Sequence, residues 1–571
     1  MMTDSLEAKE GWLSDLVKKH PNEVDAEAYS VVLQSIASCA QAGAPQRAEE
    51  LANRMNVEPS DKCYQAVLEA WANSPREDAS LCVVRAERWF VKIKEPTVES
   101  YHMLLNVLSK GRSKTNNRNR KKQILMDHAK KAEEILESMT LQPDTKAFNY
   151  VMRAWSHIRQ DPELMATKVM EWLHRIEALQ QENPAGTIQP NTRSYAMGME
   201  CYAVLAGHRV RSGTGDGLQE MQQVEAILKY MHDLNKEGHR DVVPNTVAYN
   251  ILISAYARLS ESHHHQDAPL KAERVLRRML AIGKDAAPDH LSFTKVIQAW
   301  SNAKRQTSGQ RAAYWLDKLW ELYEEKNHDE RLHPKIFTYN MVIKAGKGDP
   351  EKAEKVFMQL LRAEKADSEA FLRPNSASFG LIIHSWSKKD LPRAVMWLEE
   401  LMQRESTNNG STTDITTTPE LFQAILKHAA MDPSLDNLIL GLKVFDYYRS
   451  SRHAVDVNTF AWLLKLGLKA YSEPQHNVDR KEFVADIIQD CRDDGLVSNV
   501  FLRELANGPI YYGGWTAKES KATVQEFFAD WPIPASWTRN VHHHNLPQKS
   551  DTIRKSREGA KSFRSVDDAS E

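Results

Sequence analysis

The residues best suited to chemistry are six histidines in two runs of three, His263–His265 and His542–His544. Imidazole is the commonest metal ligand. A metal, however, needs ligands held in fixed geometry, and adjacent histidines in a polar stretch such as SESHHHQDAP do not supply it. Both runs therefore read as loop or tail. The five cysteines, Cys39, Cys63, Cys82, Cys201 and Cys491, include no CxxC pair. That argues against a disulfide framework and a cysteine zinc site, and suits thiols in a reducing compartment. HExxH, GxSxG and phosphate-loop motifs are all missing, as is the H-x-E with CxxC set of a zinc deaminase. The glycines of GTGDG (213–217) signal a loop. The expectation is a binding protein and not an enzyme, with no metal, no cofactor and no small-molecule substrate.

The composition is that of a folded, non-membrane chain. Of 571 residues, 42% are hydrophobic and 27% charged, and no run of about 18 apolar residues could span a bilayer. The length exceeds what one compact core usually organises, but a repeat array can extend this far. The formal net charge of −2 does not favour a nucleic-acid partner, since phosphates are neutralised by Lys and Arg. A repeat protein can nevertheless keep its cations on one face. The N-terminal MMTDSLEAKEGWLSDLVKKH lacks the Arg- and Ser-rich, acid-poor character of a transit peptide and the apolar core of a signal peptide. Either the protein works in the cytoplasm or this chain begins downstream of a presequence.

One unit recurs: an aromatic anchor, an apolar helical run, a second amphipathic helix, then often a proline. The anchors are Tyr29, Tyr64, Tyr101, Phe148, Tyr195, Tyr249, Phe293, Tyr339, Phe379, Phe422 and Phe460, at intervals of 35, 37, 47, 47, 54, 44, 46, 40, 43 and 38. The first interval is a bare repeat; the others add polar or Gly/Pro-rich inserts, expected as loops at 112–122, 181–189, 210–217 and 260–268. In the second helices, Ala353, Val356, Phe357 and Leu360 show the i, i+3, i+4, i+7 spacing of one helix face. Pro59, Pro96, Pro143, Pro190, Pro244, Pro288, Pro334 and Pro374 stop that helix and fix an extended lead-in to the next. Trp71, Trp155, Trp300 and Trp386 stand seven residues, two turns, after their anchors and are expected in the core. A single helix pair cannot bury both faces, so neighbours must stack. The fold predicted is all-α, a right-handed α-solenoid superhelix of about eleven helix-turn-helix repeats. Residues 26–499 form the array, with an N-terminal cap helix (1–25), a C-terminal capping segment (500–544) and a disordered polar tail (545–571).

Among helix-pair repeats the details resemble the pentatricopeptide family, which opens on V-x-T-Y-N-x-L-I and closes on G-x-x-P-D. PNTVAYNILISAYAR (244–258) and HPKIFTYNMVIKAG (333–346) match closely; QPDTKAFNYVMRAW, APDHLSFTKVIQAW and RPNSASFGLIIHSW match more loosely. The tetratricopeptide opening W-x₂-L-G-x₂-Y is missing, and the bare interval of 35 is short for a HEAT unit.

The resemblance implies single-stranded RNA as the partner, read one base per repeat. In that family the residue after the anchor and the residue after the terminal proline face one base together. The matching pairs here are Asn149/Asn191, Asn250/Asp289, Thr294/Lys335 and Asn340/Asn375. The amide of an Asn both donates and accepts, which suits a pyrimidine edge. Ser30/Ser60, Gln65/Thr97, His102/Asp144, Ala196/Asn245 and Gly380/Thr418 do not read as such pairs. The family sandwiches bases between apolar residues two before successive anchors, which places Val247, Leu291 and Phe337 in that role; Glu27, Lys62, Glu99, Lys146 and Arg193 hold the position elsewhere. Nine after the anchor, Lys110, Arg258, Lys388 and Lys469 match the family's phosphate-side cation, or else complement a helix end. The resemblance further implies organellar RNA processing, stability or translation, in mitochondrion or plastid. The alternative is a protein-interaction scaffold on the same helices.

Overall fold

A computed structural model describes Lys18 and residues 24–39, 43–74, 78–111, 115, 117–184, 186–366, 372–407, 415–511 and 535–541. Among these there are 23 α-helices, four short 3₁₀ turns and no strand. In chain order the first 22 helices alternate as first and second helices of eleven repeats, from Ala26–Ser38 and Ala44–Asn53 to Val457–Ala470 and Asn477–Asp493; Asn499–Tyr511 follows. The chain divides into two compact units, Met1–Ala303 and Lys304–Glu571. The first holds repeats one to six and the first helix of the seventh. In sequence the second begins with the seventh repeat's second helix and continues through repeats eight to eleven.

Within each unit, first helices pack on the next first helix and on their own second helix. The anchors make that contact. Ten of the eleven are buried and Tyr64 is half-buried; each buried ring contributes about 2–3 kcal/mol of transfer free energy. Trp71, Trp155, Trp300 and Trp386 are buried as expected.

Eight of the eleven first helices are started by the residue after a proline. Asn191, Asp289 and Asn375 accept main-chain N–H groups two or three residues on, and Ser194, Ser292 and Ser378 hydroxyls return a bond to the cap residue's own N–H. This is the capping box, and Thr97 with Ser100 makes another. The next residue fixes repeat-to-repeat register. The hydroxyls of Thr145, Thr192 and Thr246 donate to Gln189, Val243 and Ala287 carbonyls, in the lead-in of the following repeat, at 2.8, 3.1 and 2.6 Å.

A second cross-repeat device starts from the second helices, at the glutamate of the Ala-Glu step in RAEEL, KAEEI, KAERV and KAEKV. Trp89 donates to Glu49 at 3.0 Å, Trp172 to Glu133 at 2.5 Å, Trp300 to Glu273 at 2.8 Å and Trp397 to Glu354 at 2.9 Å. In every case the tryptophan belongs to the next repeat.

The inserts are more helical than their composition predicts. Residues 118–122 open the helix Arg118–Ser138, because Asn117 caps it by accepting from Asn119 and Arg120 N–H and the Arg/Lys residues behind the cap are good helix formers. Residues 181–182, 210–212 and 268 likewise belong to flanking helices. The rest of the inserts' described residues, including His263–His265, are loop, and His265 Nε2 bonds the Asp216 carbonyl of the preceding repeat at 2.6 Å. At the C-terminal end, Val497 N–H donates to the Trp537 carbonyl and Asn540 N–H to that of Gly495. The 1–25 cap helix (save Lys18, Val24 and Asp25), the segment 512–534, the His542–His544 run and the 545–571 tail lie outside the described residues.

Candidate nucleic-acid interface

In five repeats the side chain after the anchor reaches the N-cap residue of the next first helix. In the first unit Asn149 Nδ2 donates to Asn191 Oδ1 at 3.3 Å, and Asn250 Nδ2 to Asp289 Oδ1 at 3.1 Å. In the second unit Asn340 Nδ2 donates to Asn375 Oδ1 at 3.4 Å. Residues 35 to 42 positions apart thus meet three times in one arrangement. Capping fixes it: the cap oxygen already serves the helix N-terminus, and the Asn amide reaches it from the previous repeat.

The three asparagines differ in their other oxygen. Asn149 Oδ1 accepts from Ser194 Oγ at 2.8 Å. Asn250 Oδ1 and Asn340 Oδ1 are buried with no protein partner, in side chains only 8% and 6% exposed. An unpaired buried acceptor costs about 1–3 kcal/mol, so a ligand N–H at that point would gain what the protein leaves open. Two residues before the anchors, Val247, Leu291 and Phe337 are 55%, 46% and 52% exposed. Val247 and Phe337, each one turn from an open amide oxygen, offer a flat ring both contact area and an edge partner.

Toward the N-terminus the same positions are closed. Lys62 pairs with Glu27 at 2.8 Å and Lys146 with Glu99 at 3.3 Å, each across a repeat boundary. Burial alone would raise the Glu99 carboxyl; His102 and Lys146 hold it below its ordinary range. His102, after its anchor, is bonded on both ring nitrogens, to Glu99 at 3.1 Å and Asp144 at 2.7 Å. Gln65 donates to Ser100 Oγ at 3.0 Å.

A sequence profile described as PPR repeat matches residues 247–264, the stretch carrying Val247, Asn250 and Arg258. These residues are similar to a pentatricopeptide repeat. Among solved structures, the pentatricopeptide repeat protein PPR10 in complex with an 18-nt psaJ RNA element matches at 17% identity and a TM-score of 0.34, covering 92% of this chain and 78% of that one. A variant of PPR10 with three Cys-to-Ser substitutions, with the same RNA element, gives the same values. Superpositions this loose carry no ligand from one protein to another. No curated protein sequence matches.

The other expected positions divide. Thr294 Oγ1 donates to the His290 carbonyl of its own helix at 2.7 Å, and Lys335 is an N-cap with no side-chain capping bond; they fall in different units. Of the four cations, Lys110 Nζ donates to the Ser74 carbonyl at the end of an earlier first helix, 3.0 Å away. Arg258 Nη2 pairs with Glu200 at 3.1 Å. Lys469 is half-buried and Lys388 exposed. Beside Arg258, Lys295 donates to Ser254 Oγ at 3.2 Å, and burial followed by Arg258 holds its ammonium below the usual range. Among the described residues no group of His, Cys, Asp or Glu is arranged to hold a metal, and no helix is long and apolar enough to cross a membrane.

Two features escaped the sequence. The second residue of each expected pair is a helix N-cap, which the pattern P-[N/D/T]-x-x-S in PNTRS, PDHLS, PNSAS and PTVES could have shown. The ion pairs at 27/62 and 99/146 were visible only as charges out of place.

Proposed function

We propose that this protein binds single-stranded RNA through the asparagine pairs of repeats six and eight. Asn250/Asp289 and Asn340/Asn375 present a base edge, Val247, Leu291 and Phe337 contact base faces, and Asn149/Asn191 contributes less because its oxygen is already occupied. One observation carries the reading: the buried, unpartnered Asn250 and Asn340 oxygens stand beside exposed apolar residues in repeated geometry. A pyrimidine edge supplies the missing N–H donor. Thr294, Lys335, Lys110, Arg258, Lys388 and Lys469 are assigned supporting roles toward base or phosphate. The biological setting follows from family resemblance: RNA processing, stability or translation in a mitochondrion or plastid, by binding and not by catalysis.

A specific observation favours a second reading, a protein scaffold. The ion-paired positions of repeats one to four leave those helices without open base-contact geometry, and the net charge is −2. Titration of the intact chain with pyrimidine-rich single strands at low salt separates the two. Saturable binding lost on replacing Asn250 and Asn340 supports RNA; no binding to any single strand leaves the scaffold.

A further inference from the structure

The first helices of repeats eight, nine and ten, Ile336–Ala345, Ser376–Trp386 and Pro419–Ala429, lie side by side in the second unit. Each ends in basic residues: Lys344 and Lys347, His384 and Lys388, Lys427 and His428. Lys344 stands four residues after Asn340, and His384 and Lys427 hold the equivalent position after Gly380 and Gln423. Residues four apart share a helix face, so these groups continue the stripe that holds Asn340. The first unit has Gln34, Glu69, Asn106, Arg153, Glu200, Ser254 and Gln298 at this register.

The cluster is not neutralised from within. Lys352 pairs with Asp349 and Lys389 with Glu351 close by, whereas Lys344, Lys347, Lys388 and Lys427 are exposed and form no ion pair among the described residues. The helix C-termini beneath them offset part of the repulsion. Their mutual effect is plain at Lys347: partial desolvation first, then Lys388, Lys344 and Lys304, hold its ammonium below the ordinary range.

We infer that this cluster is the seat of the RNA phosphodiester backbone, and that His384 and His428 take up protons when the backbone binds. The inference rests on the RNA reading above. A strand whose base reaches Asn340 must lay its backbone within one or two helical turns of it, about 5–11 Å along the helix, where these cations stand. Around His384 the acting groups are Lys347 and Lys388, with Glu420 opposing; around His428 they are Lys388, Lys427, His384 and Lys347. Burial comes first in both cases, the lysine charges add to it, and both imidazoles stay below their ordinary range. Both are therefore neutral at pH 7.5 in the free protein. A phosphate stabilises the imidazolium, so the bound pKa exceeds the free one. Affinity then rises as pH falls through the bound-state pKa, and levels off below the free-state pKa.

The test uses the full chain and a labelled pyrimidine-rich RNA single strand at fixed ionic strength. Binding at pH 6.0 should be about ten-fold tighter than at pH 7.5, and calorimetry in two buffers of different ionisation enthalpy should show proton uptake. His384→Gln with His428→Gln should flatten the pH dependence, while Asn340→Ala should weaken binding and keep the slope. Should the histidine variant fail to fold, Lys388→Gln with Lys427→Gln, at exposed positions, should lower affinity at both pH values and reduce the salt dependence. RNA binding that is independent of pH, or a slope that survives the histidine changes, overturns the inference and leaves the RNA reading standing. Polyglutamate bound as tightly as RNA overturns it in favour of an acidic protein segment. No RNA binding at either pH removes the RNA reading itself.

Discussion

Asn250 donates its amide to the Asp289 carboxylate at 3.1 Å across a repeat boundary, leaving its own oxygen buried and unpartnered. The same relation holds between Asn340 and Asn375, whereas Ser194 closes it at Asn149. Alanine at Asn250 or Asn340 should weaken pyrimidine-rich RNA by about 1–3 kcal/mol each, the scale of a good base contact. Asn149→Ala should cost less. Fluorescence anisotropy with matched single strands reads the difference; equal losses at all three sites would contradict the role given to the open oxygen.

The ion pairs Glu27–Lys62 and Glu99–Lys146 occupy positions held by Val247, Leu291 and Phe337 farther along the chain. Replacing Glu27 and Lys62 together with Val should leave the melting temperature nearly unchanged, since exposed pairs contribute little. It should also lengthen the stretch of RNA protected from nuclease toward the side bound by the N-terminal repeats. An unchanged footprint would show that the ion pair is not what closes that slot.

His157 gives the fold a pH dependence of its own. Burial, then Arg153 and Arg159, push its imidazole down to about 4, against the pull of the Ser109 main chain. A group that is harder to protonate folded than unfolded contributes full stability above its unfolded value, near 6.5, and loses it as pH falls toward the folded one. The loss should approach about 2–3 kcal/mol at pH 4. Urea unfolding at pH 7.5 and 4.5 should show it, and His157→Gln should reduce the difference.

The eleven pairs were legible because a buried aromatic at a constant helix register is hard to imitate. Tyr249 and Phe379 mark their repeats although the intervals around them vary. The inserts were misread where composition outweighed capping: RSKTNNRNRKK looks like a loop until Asn117 is seen as an N-cap with helix formers behind it. The asparagine positions came from family resemblance, and only the fold showed which oxygen each leaves free, since that depends on a serine three residues into the next repeat's first helix. The tryptophan–glutamate bonds were not legible at all. Trp397 and Glu354 stand 43 residues apart, and nothing in either sequence stretch says which neighbour the stacking will supply.

That last bond sets a stability prediction. Glu354 is buried, accepts from the Trp397 indole at 2.9 Å and pairs with Arg393 at 2.7 Å. Glu354→Ala strands a buried indole N–H and removes the partner of a half-exposed guanidinium, which should cost about 1–3 kcal/mol. Glu351→Ala, three residues earlier and exposed, should cost little. Chemical denaturation of both variants tests the contrast.

Arg258 and Lys388 match the same repeat position but should respond differently when neutralised. Lys388 is exposed and forms no ion pair among the described residues. Lys388→Gln should therefore leave stability alone, weaken all RNA sequences alike, and lower the slope of log affinity against log salt by about one, as loss of one phosphate contact requires. Arg258 is held by Glu200 at 3.1 Å, lies against Gly207 and stands beside the half-buried Lys295. Arg258→Gln removes the nearer of two arginines from Glu200, leaving Arg159 at 3.7 Å. It also relieves a repulsion on Lys295, so that ammonium should move back toward its ordinary range. Its primary effect should be a lower melting temperature, and any lost RNA affinity should accompany it without the one-unit change in salt slope. A Lys388 variant that melts early, or an Arg258 variant of normal stability whose salt slope falls by one, would reverse the roles assigned to the two cations.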